Sequence, residues 1–256
     1  MMFDRSPEPR ILTNVRPTAV TVGWGYEPLR FGRGLPMSGF AARRDHSATA
    51  LTPGPEAIAM AVGDEVIVAL DVIGVDRELA DMITESARLP NDVILTATHT
   101  HSGPGILPGR LGACSEEART LAANAATTAA RRALDSAGGC TLEWLEPAMP
   151  GLAHDRRRRR VAWDAQLRAL RWKSGGYVTG YLVSYPCHPS IIGSTNTHLS
   201  PDYPGYLRTR IQEATGCPVI FLTGCAGDVN AGYSERASSQ RNHDIGRTPS
   251  DADLFG

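Results

Sequence analysis

The chain has 256 residues with 26 basic and 27 acidic side chains, a formal net charge of −1 that gives neither nucleic acid nor an anionic membrane a whole-molecule field to recognise. Its length suffices for a substantial core and fits one large α/β domain or two small ones, and no apolar run approaches a membrane span. Five cysteines without a C-x-x-C pair read as a reduced, disulfide-free chain.

Residues 1–10 are polar and proline-rich and read as an unstructured leader with no apolar signal region, so the chain as given reads as cytoplasmic. A signal peptide removed before Met1 would leave the same sequence and make the protein secreted. Thr18 to Trp24 alternates weakly, as a first strand would. Gly32 to Arg44 is glycine-rich with Met37 and Phe40 embedded, the pattern of a structured loop. Ala57 to Ala61 and Glu65 to Asp71 read as a hairpin across Gly63-Asp64, the second strand almost wholly apolar and covered on both faces. Arg77 to Leu89 has helical spacing, with Leu79, Met82, Ile83 and Ala87 on one side.

An apolar strand follows from Val93 into His99-Thr100-His101, then breaks at Ser102-Gly103-Pro104-Gly105. Ser115 to Ala137 is an alanine-rich helix with a serine cap, acids in its first turn and a Gly138-Gly139 stop. Thr141 to Pro147 reads as an edge strand. Gln166 to Trp172 and Tyr177 to Tyr185 read as a second hairpin across Gly175-Gly176, with His188 just beyond its end. Tyr203 to Thr215 is a helix entered through Asp202 and Pro204 and stopped by Gly216, and Val219 to Thr223 is a buried strand running into Gly224 to Asp228.

These elements predict an α/β fold: a mixed, largely parallel sheet flanked by helices, with a site at the carboxyl ends of the strands. Strands ending near Asp71, His99/His101, His188 and Asp228 would bring those groups to one crevice if they run parallel. Along a strand, His99 and His101 would share a face. Paired imidazoles beside a Gly/Pro turn suit metal binding or acid–base work better than a dry core, where each ring nitrogen needs a partner. His99 and His188 are candidate zinc ligands, and His101 is a ligand or a hydrogen-bonding base beside the ion. Asp71 and Asp228 read as turn or supporting acids. The run Arg156 to Arg160 lacks interleaved aromatics and reads as a solvated loop, with room for one arginine to turn inward onto a carbonyl or oxyanion. His46, His154, His198 and His243 read as surface histidines.

The segment ILTATHTHSGPG (94–105) resembles the most recognisable stretch of the neutral/alkaline, non-lysosomal ceramidase family. YLVSYPCHPSIIGSTNTHLSPDYPGYLRTRI (181–211), PVIFLTGCAGDVN (218–230) and the early loop GFAAR (Gly39 to Arg43) are similar to other family motifs, in the family's order. The resemblance implies a hydrolase domain over residues 11–256 that uses Zn2+ to cleave the N-acyl amide of ceramide, or a related lipid, into sphingosine and fatty acid. It matches His99 and His188 to the family's zinc-binding histidines and His101 to a substrate-contacting histidine. The family's substrate-binding arginine falls best on Arg156, with Arg157 next in register. The family's glutamate and tyrosine ligands, downstream of G-D-x-N, find no match before Gly256, so the domain reads as incomplete. A metal-dependent hydrolase of another small amide and a non-catalytic binding relative are the alternatives. Each expects a small-molecule or lipid amide partner and no nucleic acid.

Overall fold

The computed structural model describes residues 10–12, 20–40, 43, 53–109, 112–146, 153–155 and 166–231. In chain order the strands are β1 (Arg10–Leu12), β2 (Val20–Pro28), β3 (Glu56–Val62), β4 (Glu65–Leu70), β5 (Ile94–Ala97), β6 (Gly138–Glu146), β7 (Ala153–Asp155), β8 (Arg168–Ser174), β9 (Tyr177–Tyr185), β10 (Val219–Thr223) and β11 (Val229–Ala231). The helices are α1 (Arg77–Ala87), α2 (Glu116–Asp135) and α3 (Tyr203–Thr215). Arg10, expected in the leader, is the first residue of β1, which pairs with the end of β6.

Nine strands form one mixed sheet in the order β10-β9-β8-β6-β2-β3-β4-β5, with β1 also on β6, and β7 pairs with β11 in a small second sheet. The α/β class and the flanking helices are as the sequence predicts, but the sheet is not largely parallel. Among the described residues the parallel pairs are β4 with β5 and β9 with β10, and the strands between them are antiparallel. The reason is connectivity. Tight turns at Gly63-Asp64 and Gly175-Gly176 can only return a strand antiparallel, whereas parallel neighbours need a crossover, supplied here by α1 and α3. The edge strand expected over Thr141 to Pro147 lies in β6 as far as Glu146, paired with β8 on one side and, at its end, with β1 on the other. Gly138-Gly139 opens that strand instead of idling in a loop.

Side-chain alternation shows how the sheet closes on itself. Ala57, Ala59 and Ala61 of β3 belong to the core shared with α1 and α2, while Ile58 and Met60 turn to an inner core with Trp172 and Ile220. On β10, Val219 and Phe221 face the α3 side with Tyr203, and Ile220 faces inward. The sheet therefore doubles over, giving four layers: helices, half-sheet, half-sheet, helix. Strand β10 packs against β3, β4 and β5.

The small residues of α2 allow it to lie close on β2. A Cβ at Gly23 would stand 1.9 Å from the Ala133 carbonyl oxygen, and one at Gly25 2.0 Å from that of Ala129. The helix starts at Ser115, whose hydroxyl accepts the Ala118 N–H. In α1, Leu79, Ile83 and Ala87 are buried, but Met82 is 39% exposed; one residue from Ile83, it points about 100° away around the helix. Among the described residues no helix is long and apolar enough to cross a membrane.

One buried ion pair spans the layers. Arg208 of α3, 2% exposed, meets Asp71, fully buried at the end of β4, through Nη1–Oδ1 at 3.0 Å and Nη2–Oδ2 at 2.5 Å. Asp71 Oδ2 also accepts the Glu56 N–H at 2.9 Å. Replacing Arg208 with Met strands a buried carboxylate, and we expect a loss of about 3–5 kcal/mol in urea unfolding. The double variant Arg208→Met/Asp71→Asn should lose less than Arg208→Met alone; an equal or larger loss would show that the pair is not what Arg208 contributes.

Candidate metal centre

The site forms where the two parallel strand pairs meet. Strand β5 stops at Ala97, paired with Leu70, and β9 stops at Tyr185, paired with Thr223. Thr223 Oγ1 donates to the Thr98 carbonyl at 2.6 Å, joining the two strand ends directly. Beyond them the loops are laced together. His101 N–H donates to Pro189 O at 3.0 Å, Ser200 N–H to Ser102 O at 2.9 Å, and Thr100 Oγ1 to Ser200 O at 2.8 Å. Asn196 Nδ2 donates to Ser102 Oγ at 3.1 Å and to the His198 carbonyl at 2.6 Å.

His99 lies outside β5, in the left-handed region at φ 66°. A non-glycine residue there is uncommon and carries strain. The strand alternation expected to align His99 with His101 is thus broken before it reaches them, yet the rings still converge, because the loop folds around the same point. Their centroids are 5.2 Å apart, and those of His188 lie 4.8 Å from His99 and 5.0 Å from His101. Ligand atoms of the three histidines all fall within 4.8 Å of one another. His101 and His188 are buried.

Hydrogen bonds to main-chain carbonyls define the ring states of two of these residues. His99 Nδ1 lies 2.6 Å from Ile73 O, and His188 Nδ1 lies 2.9 Å from Ala226 O. A carbonyl oxygen only accepts, so each Nδ1 carries the hydrogen and a neutral ring presents a lone pair at Nε2. Those two Nε2 atoms face each other at 3.2 Å. Two lone pairs at that distance repel, and either a proton on one ring or a cation shared by both relieves the repulsion. Nitrogens about 2.0–2.1 Å from one tetrahedral zinc lie about 3.3 Å apart, so the separation fits a shared ion. Backbone carbonyls at the far ring nitrogens are also the usual means of orienting imidazole ligands.

His188 is further held by its own N–H to Val229 O at 2.9 Å and by a parallel bridge to Asn230. Asp202 caps α3, accepting the N–H of Tyr203 at 2.7 Å and that of Ile192 at 3.1 Å, and complete burial pushes its carboxyl up to about 6. Burial, with the nearby Asp202 charge, pushes the Cys187 thiol up to about 12, which leaves the sulfur beside His188 protonated.

Of the residues singled out from sequence, His99, His101 and His188 come together. Asp71 is committed to Arg208, and Asp228 is exposed in the turn before β11. Arg156 and Arg157 lie outside the described residues, as do His46 and His243. His154 and His198, expected at the surface, are half-buried, His154 on β7 opposite Asn230. Two contributors had no assigned role: Asn196, which ties the loops, and Arg43 of GFAAR. Their acceptors are mostly main-chain carbonyls, which leave no mark in a sequence.

Neutral ceramidase from Pseudomonas aeruginosa superposes on this architecture with a TM-score of 0.71 at 18% identity, over 84% of this chain and 40% of that one. The chain shares the fold of that part of neutral ceramidase. A ceramidase solved in complex with C2 gives a TM-score of 0.71 at 19% identity, over 83% of this chain and 38% of that one. The chain thus spans about 40% of the length of neutral ceramidase. No protein-family model and no curated protein matches the sequence.

Gly39 sits at φ 106°, and a Cβ there would stand 2.7 Å from His101 Cα. Gly39→Ala should cost about 1–3 kcal/mol in thermal or urea unfolding and shift the His101 ring resonances in NMR spectra. Unchanged resonances would mean that this glycine does not set the position of the histidine.

Proposed function

We propose that the chain is a ceramidase-like, zinc-dependent amidohydrolase that cleaves the N-acyl amide of ceramide or a related lipid. The observation that carries the reading is the pair of Nε2 atoms at 3.2 Å, each on a ring whose Nδ1–H is committed to a main-chain carbonyl. The fold shared with neutral ceramidase supplies the reaction class.

In this reading His99 and His188 hold the ion. When bound, zinc supplies Lewis-acid polarisation of a carbonyl and brings the pKa of water toward about 7. Two histidines leave further positions to fill in a site that takes about three protein ligands. In the same reading His101, whose ring is edge-on to both others, donates a hydrogen bond to the oxygen of the scissile amide as charge builds there. Arg156, with Arg157 next in register, is the second donor to that oxygen. What supports it is β7, which ends at Asp155 opposite Val229, the residue whose carbonyl takes the His188 N–H. The Phe40 ring packs edge-on against His101, their centroids 5.0 Å apart. The five free thiols suit a reducing compartment such as the cytoplasm.

Calorimetric titration with Zn2+ should give one high-affinity ion per chain. His99→Asn, which tolerates the left-handed backbone, and His188→Ala should each weaken it more than about 100-fold while circular dichroism stays unchanged. Zinc-loaded protein should release fatty acid from long-chain N-acyl sphingosines and lose that activity with a chelator. Wild-type affinity in both variants would overturn the metal assignment. Turnover confined to short acyl amides would replace the lipid substrate and leave the metal assignment standing.

A further inference from the structure

We infer that Arg43 is a positioning residue for the histidine cluster: its guanidinium fixes the His101 loop against the loop that begins at His188, and ion affinity depends on that clamp. The inference rests on the metal site proposed above. Arg43 Nη1 donates to His101 O at 2.7 Å and to Ser38 O at 3.3 Å. From the other side of the fork, Nη2 donates to Gly193 O at 2.8 Å and Nε to Ser194 O at 3.3 Å. The same guanidinium stands 5.0 Å from the Phe40 ring centroid, and Phe40 in turn packs edge-on against His101. One planar group thus joins three segments: the 38–40 loop, the histidine loop after β5 and the loop after β9.

The geometry is specific to arginine. Four main-chain oxygens from three segments are reached by a rigid, planar fork, which the single ammonium of lysine does not reproduce. Loops without regular structure hold a pair of ring nitrogens at 3.2 Å only if their relative position is fixed. The carbonyl of His101 itself is one of the clamped oxygens, so displacement of the guanidinium passes directly to that residue.

The sign of the effect separates positioning from simple proximity. A permanent positive charge beside a cation site opposes its occupancy, so removing a mere neighbour would tighten zinc binding. Removing a clamp loosens the cluster and weakens binding. Competition with a chromophoric chelator on the full chain measures this for wild type, Arg43→Lys and Arg43→Ala, with Co2+ absorption reporting ligand geometry. We expect a loss of at least about 10-fold in affinity for both variants, a weakened Co2+ d–d band, and partial recovery of Arg43→Ala on adding guanidinium below denaturing concentration. Arg43→Lys keeps the charge, so it decides the matter if Arg43→Ala fails to fold. Equal or tighter zinc binding and an unchanged Co2+ spectrum in Arg43→Lys would overturn the inference. Wild type that binds no zinc would instead overturn the proposed function, and this inference with it.

Discussion

An imidazole that has given its N–H to a main-chain carbonyl offers only a lone pair at its other nitrogen. The Nε2 atoms of two rings held in this way, His99 and His188, face each other across 3.2 Å. The fold holds this arrangement with a strained backbone at His99 and hydrogen bonds around His188, and a shared ion, as proposed above, would turn the two ring nitrogens into ligands.

The rest of the architecture brings those two rings together. Their parent strands lie near opposite ends of the sheet order, so a flat sheet would separate them by its whole width. Doubling the sheet over the inner core of Met60, Trp172 and Ile220 puts the two parallel pairs face to face. Two links then secure the junction: Arg208 of α3 on Asp71, and Thr223 on the Thr98 carbonyl. Above the strand ends, the loops are stitched by Thr100, Ser102, Asn196 and Arg43, chiefly to main-chain oxygens. Small residues are needed where segments approach closely, as at Gly39 against His101.

Much of this was legible in the residues because it is local. Caps, glycine turns and alternation marked α2, α3 and both hairpins, and the spacing of His-x-His beside a turn marked the site. The sheet has fewer parallel pairs than the strand-end pattern suggests, because the two glycine hairpins require antiparallel neighbours. The doubling of the sheet was not legible, since it depends on which face of β3 meets which face of β10. His99 and His101 were expected to align through strand alternation, and they meet instead through a left-handed turn that no spacing rule anticipates. Asp71 looked like part of the crevice because it ends a strand; Arg208, far along the chain, claims it. Arg43 stayed unassigned because its partners are carbonyl oxygens, which every residue has.

The most direct test is the position of the ion itself. Anomalous diffraction at the zinc edge from zinc-loaded crystals should show a peak bonded to Nε2 of both His99 and His188, with each Nδ1 still on its carbonyl. A peak elsewhere, or rings bridged by a proton alone in saturating zinc, would contradict the account.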